Sequence, residues 1–203
     1  MYWDIEKGAK IQRFYGHMSD VMCLSENPVD KNVFATSSCD ATAKVDLSLI
    51  SMYFLAKYVY FLMKIFIAFK IWDLRSGLCV QTFYGHNLDV NSVSFFPDGN
   101  AIATGSDDGT CRMFDIRCAG EVHRFGSDKI QCSVTSVQFS KSGHYLIGGY
   151  DDGMCRVWDT LKGKFPPLTV LTGHERRVQS VCVTPRGDAI STASWDALIR
   201  IWA

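Results

Sequence analysis

The sequence predicts an all-β fold of about four four-stranded propeller blades, a partial propeller interrupted by one inserted apolar segment. Three observations predict it. Short runs of alternating apolar and polar residues are separated by Pro, Gly and Asp turns, with a period of about 40 residues. Segments end alike, in "IWD" at Ile71–Asp73, "MFD" at Met113–Asp115, "VWD" at Val157–Asp159 and "IWA" at Ile201–Ala203, and "YWD" at Tyr2–Asp4 opens the chain. Gly-His pairs stand at Gly16–His17, Gly85–His86 and Gly173–His174.

The spacing between these landmarks locates the insertion. His86 stands as far before Phe114 as His174 stands before Trp202. His17 and Trp72 are almost twice as far apart, and removing Val45–Lys70 brings them to within a single position of the common spacing. An aspartate also keeps a constant distance ahead of the terminal aromatic, at Asp108, Asp152 and Asp196, and at Asp40 once Val45–Lys70 is set aside. One excision repairs two independent spacings, so the segment is foreign to the repeat.

Each repeat reads as strands and turns. "VNSVSFFPDGNAIATGSDDGTCRMFD" alternates, turns at Pro97-Asp98-Gly99, alternates again, turns at Asp107-Asp108-Gly109 and ends in a third strand. A fourth strand follows each Trp-Asp, as in "CVQTFYGH" from Cys79 and "KIQRFYGH" from Lys10. The resulting division is 1–9 for the end of a preceding repeat, then repeats over 10–73 (carrying the insertion at 45–70), 79–115, 120–159 and 168–203.

The fixed positions suggest a buried polar network. His17, His86 and His174 are placed to bond the turn aspartates Asp40, Asp108 and Asp196, and the hydroxyls of Ser38, Ser106 and Ser194 and the indoles of Trp72 and Trp202 are expected to complete it. Asp152 and Trp158 hold the same places in the third repeat, which lacks Gly-His. Ser, His and Asp together resemble a hydrolase triad. The set recurs once per repeat, however, and a catalytic centre is built once, so no catalytic residue is expected.

Composition excludes several classes. Lys and Arg total 21, as do Asp and Glu, and no basic block offers a footprint for nucleic acid. Eight cysteines form no CxxC pair and no cluster with zinc spacing. They read as buried free thiols of a reducing compartment. No cofactor, metal or small-molecule substrate is expected, and no signal sequence opens the chain.

At these residues the chain resembles WD40-repeat proteins. The longer phrases "GHNLDVNSVSFFPDGNAIATGSDDGTCRMFDIR", "FSKSGHYLIGGYDD" and "GHERRVQSVCVTPRGDAISTASWDALIRIW" are similar to the C-terminal half of a heterotrimeric G-protein beta subunit, without singling out a subtype. The resemblance implies a non-enzymatic signal transducer, whose propeller face binds the GDP-bound alpha subunit and effectors. Carried over residue by residue, that face falls on Asp20, Met22, Cys39, Asp89, Asn91, Asp107, Arg177 and Trp195. It also implies a gamma partner held by an N-terminal helix, which is not expected here because no such helix precedes the first Trp-Asp. The cytoplasmic face of the plasma membrane, reached through partners, is the location it implies. A generic WD40 scaffold or substrate receptor, and a non-functional truncated splice or gene-model product, are the alternatives.

The apolar insertion reads as helical. Leu49–Phe69 is long enough to span a bilayer, but Lys57 and Lys64 oppose insertion and the segment splits a strand. Phe, Ile, Lys, Met and Tyr make up more than half of Val45–Lys70, and Gly and Pro are absent, as in translated AT-rich non-coding sequence. A retained intron is therefore the first reading, an accessory helix the second and a membrane anchor the third. Either Ala43–Lys44–Val45 or Ala68–Trp72 can supply the interrupted strand in the same register, since the inserted length is even. The second is expected to do so, because it keeps Trp72 in the strand.

Overall fold

The computed structural model describes residues 1–40, 67–126, 130–163 and 166–203, with backbone alone at 67 and 68. The described residues form strands and turns without a helix. The helical reading of the insertion at 45–70 is corrected at its end, where residues 67–70 form strand because they complete the ladder beside Val33–Ser38, and the rest of it, 45–66, lies outside the described residues. No described helix is long and apolar enough to cross a membrane.

A ribbon of β1 (Tyr2–Asp4) and β2 (Ala9–Gln12) comes first. The first full sheet contains β3 (Val21–Glu26), β4 (Val33–Ser38), β5 (Ile67–Asp73) and β6 (Cys79–His86). The second contains β7 (Val90–Phe95), β8 (Ala101–Ser106), β9 (Cys111–Asp115) and β10 (Gly120–Phe125). The third contains β11 (Val134–Phe139), β12 (Tyr145–Tyr150), β13 (Cys155–Asp159) and β14 (Thr169–Leu171). A three-stranded sheet of β15 (Val178–Val183), β16 (Ile190–Ser194) and β17 (Ile199–Trp202) ends the row. All pairings are antiparallel between chain neighbours. The first strands β3, β7, β11 and β15 pack successively against one another, so the sheets fan out as blades of a partial propeller.

The interrupted strand is built from the far side of the insertion. β5 pairs with β4 at Phe34↔Trp72, Ala35↔Ile71, Thr36↔Lys70 and Ser37↔Phe69. Phe69 stacks on Phe83 at 4.7 Å and meets Phe114 edge-on at 4.9 Å. That aromatic contact, and an unbroken strand through the buried Trp72, favour this copy over Ala43–Lys44.

The core lies between sheets. One cluster joins Ala35, Phe69, Ile71 and Phe83 of the first sheet to Val93, Phe95, Ile102 and Phe114 of the second. The next joins Ala103, Cys111 and Phe125 to Val134, Val137, Phe139, Leu146, Tyr150 and Trp158. A third joins Ile147, Cys155 and Val157 to Val178 and Val181. Serine hydroxyls stitch the same seams: Ser25, Ser92 and Ser136 accept the N–H groups of Phe95, Val137 and Val181 at 3.2, 3.0 and 3.1 Å. All eight cysteines are free, but only Cys111 and Cys155 are buried, Cys23, Cys39, Cys79 and Cys132 are half-buried and Cys118 and Cys182 are exposed, which corrects the expectation of buried thiols. The exposed Cys118 and Cys182 lie outside the inter-sheet clusters.

Close approach at these seams dictates glycine. A Cβ on Gly105 would lie 2.5 Å from Val134 Cγ1 and 2.8 Å from Val137 Cγ1. Gly105→Ala is therefore expected to destabilise the fold by about 1–3 kcal/mol through overpacking. Urea unfolding of the variant against the parent chain checks this; an unchanged midpoint would contradict the packing described.

Candidate protein-binding face

Each Gly-His histidine leaves the outer strand of one sheet or ribbon and bonds the next sheet, which fixes the loops at that end. His17 Nδ1 lies 2.8 Å from Asp40 Oδ2, and its Nε2 lies 2.6 Å from Thr36 Oγ1. The corresponding distances are 2.9 and 2.7 Å for His86 with Asp108 and Thr104, and 2.7 and 2.8 Å for His174 with Asp196 and Thr192. Trp72 Nε1 and Trp202 Nε1 donate to Thr36 and Thr192 at 2.8 and 3.0 Å. One proton arrangement satisfies every imidazole, indole and threonine hydroxyl of the chain. Indole N–H donates to threonine, threonine O–H to Nε2, and Nδ1–H to an ionised aspartate.

The structure corrects the expected place of the serines. Ser38, Ser106 and Ser194 do not bond the histidine or the indole. They donate to the carbonyls of Asp20, Leu88 and Arg176 at 2.7, 2.9 and 2.9 Å. They also accept the N–H groups of Asp40, Asp108 and Asp196 at 3.0, 3.1 and 3.2 Å. The threonine two positions earlier faces the histidine, whereas the serine lies where strand becomes turn and caps the turn instead.

The third sheet solves the same problem differently. Gly148 replaces the threonine and Tyr150 the serine, and a Cβ on Gly148 would lie 3.0 Å from the Tyr150 ring. Asp152 pairs with Arg156 at 2.5 Å, and the Arg156 guanidinium lies 4.3 Å from the centre of the Tyr150 ring. The Trp158 indole N–H lies toward the Tyr150 hydroxyl without completing a hydrogen bond.

These turns present a belt of side chains at one end of all four sheets. The residue after each second strand donates its N–H to the residue before the first strand. The four bonds are Cys39 to Asp20 at 3.0 Å, Asp107 to Asp89 at 3.0 Å, Asp151 to Ser133 at 3.0 Å and Trp195 to Arg177 at 3.1 Å. A bulge then follows in each first strand, at Met22, Asn91, Thr135 and Gln179, where the register shifts by one position. Bulges turn side chains out of the ladder.

The eight residues proposed from sequence all lie on this belt. Asp20 and Met22 are exposed, and Asp89, Asn91, Asp107, Cys39 and Arg177 are half-buried. The Cys39 thiol is pushed up to about 11 by burial and by its contact with Asp89, with the charges of Asp20 and Asp107 adding to the effect. Asn91 Nδ2 donates to Asp107 Oδ1 at 2.6 Å and to the Val134 carbonyl at 3.0 Å. Arg177 pairs with Asp151 at 3.2 Å and lies 4.7 Å from the centre of the Trp195 ring, which is 61% exposed. Sequence reasoning missed Asp151 and Ser133 of the third sheet. The adjacent acidic pair of "YDD" matches that of "GSDD" and was the available signal. Among the described residues no group of three or more His, Cys, Asp or Glu side chains is arranged to hold a metal.

Four successive antiparallel sheets, three of them locked by a His–Asp–Thr chain, define a WD40-type propeller protein. The sequence model described as "G protein beta WD-40 repeat protein" matches residues 55–203, and that of "WD domain, G-beta repeat" matches residues 8–45. The chain belongs to the G protein beta WD-40 repeat family. It is 36% identical over 214 residues to a guanine nucleotide-binding protein subunit beta of Oryza sativa subsp. japonica, covering 99% of this chain and 50% of the rice protein. It is 38% identical over 213 residues to subunit beta-1 of Nicotiana tabacum, with 99% and 49% covered. A subunit beta of Arabidopsis thaliana is 36% identical over 212 residues, with the same coverages. The chain thus spans about half the length of the curated relatives it matches.

Loss of a single member of the polar chain should be costly only where that member completes a bond. Thr192→Val strands the Trp202 indole N–H and His174 Nε2, and is expected to cost about 2–4 kcal/mol, while Trp158→Phe removes an indole that completes no bond and should cost under about 1 kcal/mol of polar energy. Chemical denaturation of both variants checks the contrast.

Acid weakens the same chain. Burial lowers the His86 pKa from its ordinary value, outweighing the bond to Asp108. Burial raises Asp108 and Asp196, but the bonds from His86 and His174 and from nearby N–H groups outweigh it, leaving Asp108 far below the carboxylate range and Asp196 at about 2. In both cases the unfolded chain binds protons more readily, so stability falls with acidification. The loss begins below about pH 6.5 for His86 and below about pH 4 for the aspartates. Asp108→Asn is expected to flatten the second limb in a series of urea midpoints from pH 7 to pH 3.

Proposed function

We propose that the chain is a G-protein beta-subunit-like signal transducer that binds an alpha subunit and effectors through the belt from Asp20 to Trp195, without catalysis. The observation that carries this reading is the belt itself. Acidic side chains from three sheets, Asp20, Asp89, Asp107 and Asp151, lead to an exposed indole whose ring rests against a guanidinium. Such an arrangement suits a partner that offers basic groups to the carboxylates and an apolar group to the ring. Aromatic residues of this kind dominate binding energies at protein interfaces.

The histidine–aspartate pairs support the same reading from the opposite direction. His86 and His174 are buried, and each has both ring nitrogens engaged by the protein's own side chains. They serve as ties between sheets and hold the belt in place. Action at the cytoplasmic face of the plasma membrane, through the bound partners, goes with this proposal.

Titration of the chain with a GDP-loaded alpha subunit tests the reading. Trp195→Ala is expected to weaken binding by about 2 kcal/mol, roughly 30-fold, with no change in the unfolding midpoint. Equal affinity of variant and parent, or no binding by the parent, would overturn it.

A further inference from the structure

At the belt end, a side chain of each sheet reaches across to the next. In the first seam the Cys39 thiol meets Asp89. In the second, Asn91 Nδ2 crosses to the Val134 carbonyl at 3.0 Å. In the third, the Thr135 hydroxyl is shared between two carbonyls, that of Gly149 in its own sheet at 2.9 Å and that of Val178 in the next. Asn91 and Thr135 are the bulge residues of β7 and β11, so the extra residue in each strand brings its donor to the neighbouring sheet. Of the three donors only Thr135 is buried, at 8% exposure.

The two carbonyls flank the groups that hold Trp195. Gly149 stands two residues before Asp151, and Val178 directly follows Arg177. Asp151 and Arg177 form an ion pair between the two sheets at 3.2 Å, and the same guanidinium lies 4.7 Å from the centre of the Trp195 ring. The backbone leaves little play on either side. The Asp151 N–H donates to the Ser133 carbonyl, and the Trp195 N–H donates to the Arg177 carbonyl. Glycine at 149 lets the sheets approach, since a Cβ there would lie 2.9 Å from both Val178 Cγ1 and Val181 Cγ2. Thr135 bridges the sheets at this approach, and its hydroxyl fixes the distance that the Asp151–Arg177 pair must span.

We infer that Thr135 is a positioning residue for the binding face. Its hydroxyl sets the separation of Asp151 and Arg177, and through them the orientation of the Trp195 ring. The inference rests on the reading of the belt as a binding face and adds to it a buried residue that acts only through others. Two buried carbonyls without a donor are costly, so the seam is expected to shift when the hydroxyl is lost.

Fluorine NMR of the chain labelled with fluorotryptophan tests this, with the Trp195 resonance assigned by its absence in Trp195→Phe. Thr135→Val is expected to displace or broaden that resonance, while those of Trp72 and Trp158 keep their places and show the fold intact. Thr135→Ser retains the hydroxyl and should retain the parent position. Thr160→Val is the control. Thr160 also shares a buried hydroxyl between two carbonyls, those of Gly143 and His144 at 2.7 and 3.1 Å, but at the opposite end of the same sheet. Its loss should leave Trp195 unmoved. Asp151→Asn, a change at an exposed position, should move the resonance as Thr135→Val does, and it decides the matter if the valine variant does not fold. In titrations with a GDP-loaded alpha subunit, Thr135→Val is expected to weaken binding about 5-fold in the parent background and not at all beside Trp195→Ala. An unmoved Trp195 resonance in Thr135→Val or Asp151→Asn contradicts the inference. So does an equal displacement in Thr160→Val, a displaced resonance in Thr135→Ser, or an equal loss of affinity beside Trp195→Ala. Failure of the parent to bind the alpha subunit would remove the functional reading alone, because the resonance is read without a partner and still decides the role of Thr135.

Discussion

A sheet of three or four short strands has two faces and no interior, so each one here is stable only against its neighbour. That constraint explains why the apolar residues sit where they do. Val134 and Val137 enter the second sheet where Gly105 leaves room, and Val178 and Val181 enter the third where Gly149 does the same. Burial of this kind contributes about 25 cal/mol per Å² of apolar surface and is repeated at every seam. Stability then accrues by nearest-neighbour steps along the row, as in other repeat architectures.

Directional bonds lie over this packing and fix how the sheets are oriented. A histidine at the exit of one sheet, bonded to threonine and aspartate of the next, resists both sliding and twisting of the seam. The low polarity of the site raises the cost of losing any single member. The third sheet shows that the aspartate's partner can be exchanged. Asp152 there is held by Arg156, whose guanidinium also covers the Tyr150 ring, and the space of a threonine goes to that ring. Packing remains the constant element, and the polar lock varies over it.

Landmarks that must be spaced were legible in the sequence, and contacts that depend on direction were not. Excising Val45–Lys70 placed Asp40 and Trp72 correctly, and the continuity of Trp72 with its strand indicated which flank would pair with β4. The histidine–aspartate pairs were legible because both partners recur at fixed distances. Thr36, Thr104 and Thr192 recur just as regularly, two positions before the serines chosen. Spacing does not say which hydroxyl faces a histidine arriving from another sheet, since that depends on twist and on where the strand ends. The bulges at Thr135 and Gln179 were hidden for a related reason. An extra residue in one strand appears only against its partner strand, and no landmark marks it.

Those bulges account for the character of the belt. The same backbone device turns out a side chain in every first strand, and what that side chain meets differs along the row. Asn91 and Thr135 reach the carbonyls of Val134 and Val178 in the following sheets, so the middle of the belt is tied down. Met22 and Gln179, nearer its ends, remain exposed. Trp195 gains order by another route, since Arg177 holds the ring while itself paired to Asp151. A large side chain fixed in this way loses little rotamer freedom when a partner covers it, which removes part of the ordinary cost of association. The Cys39 thiol, pushed up to about 11 by burial and by its contact with Asp89, stays protonated through the physiological range and adds no charge to the belt. The seams that bury the core therefore also set the rigidity of the belt.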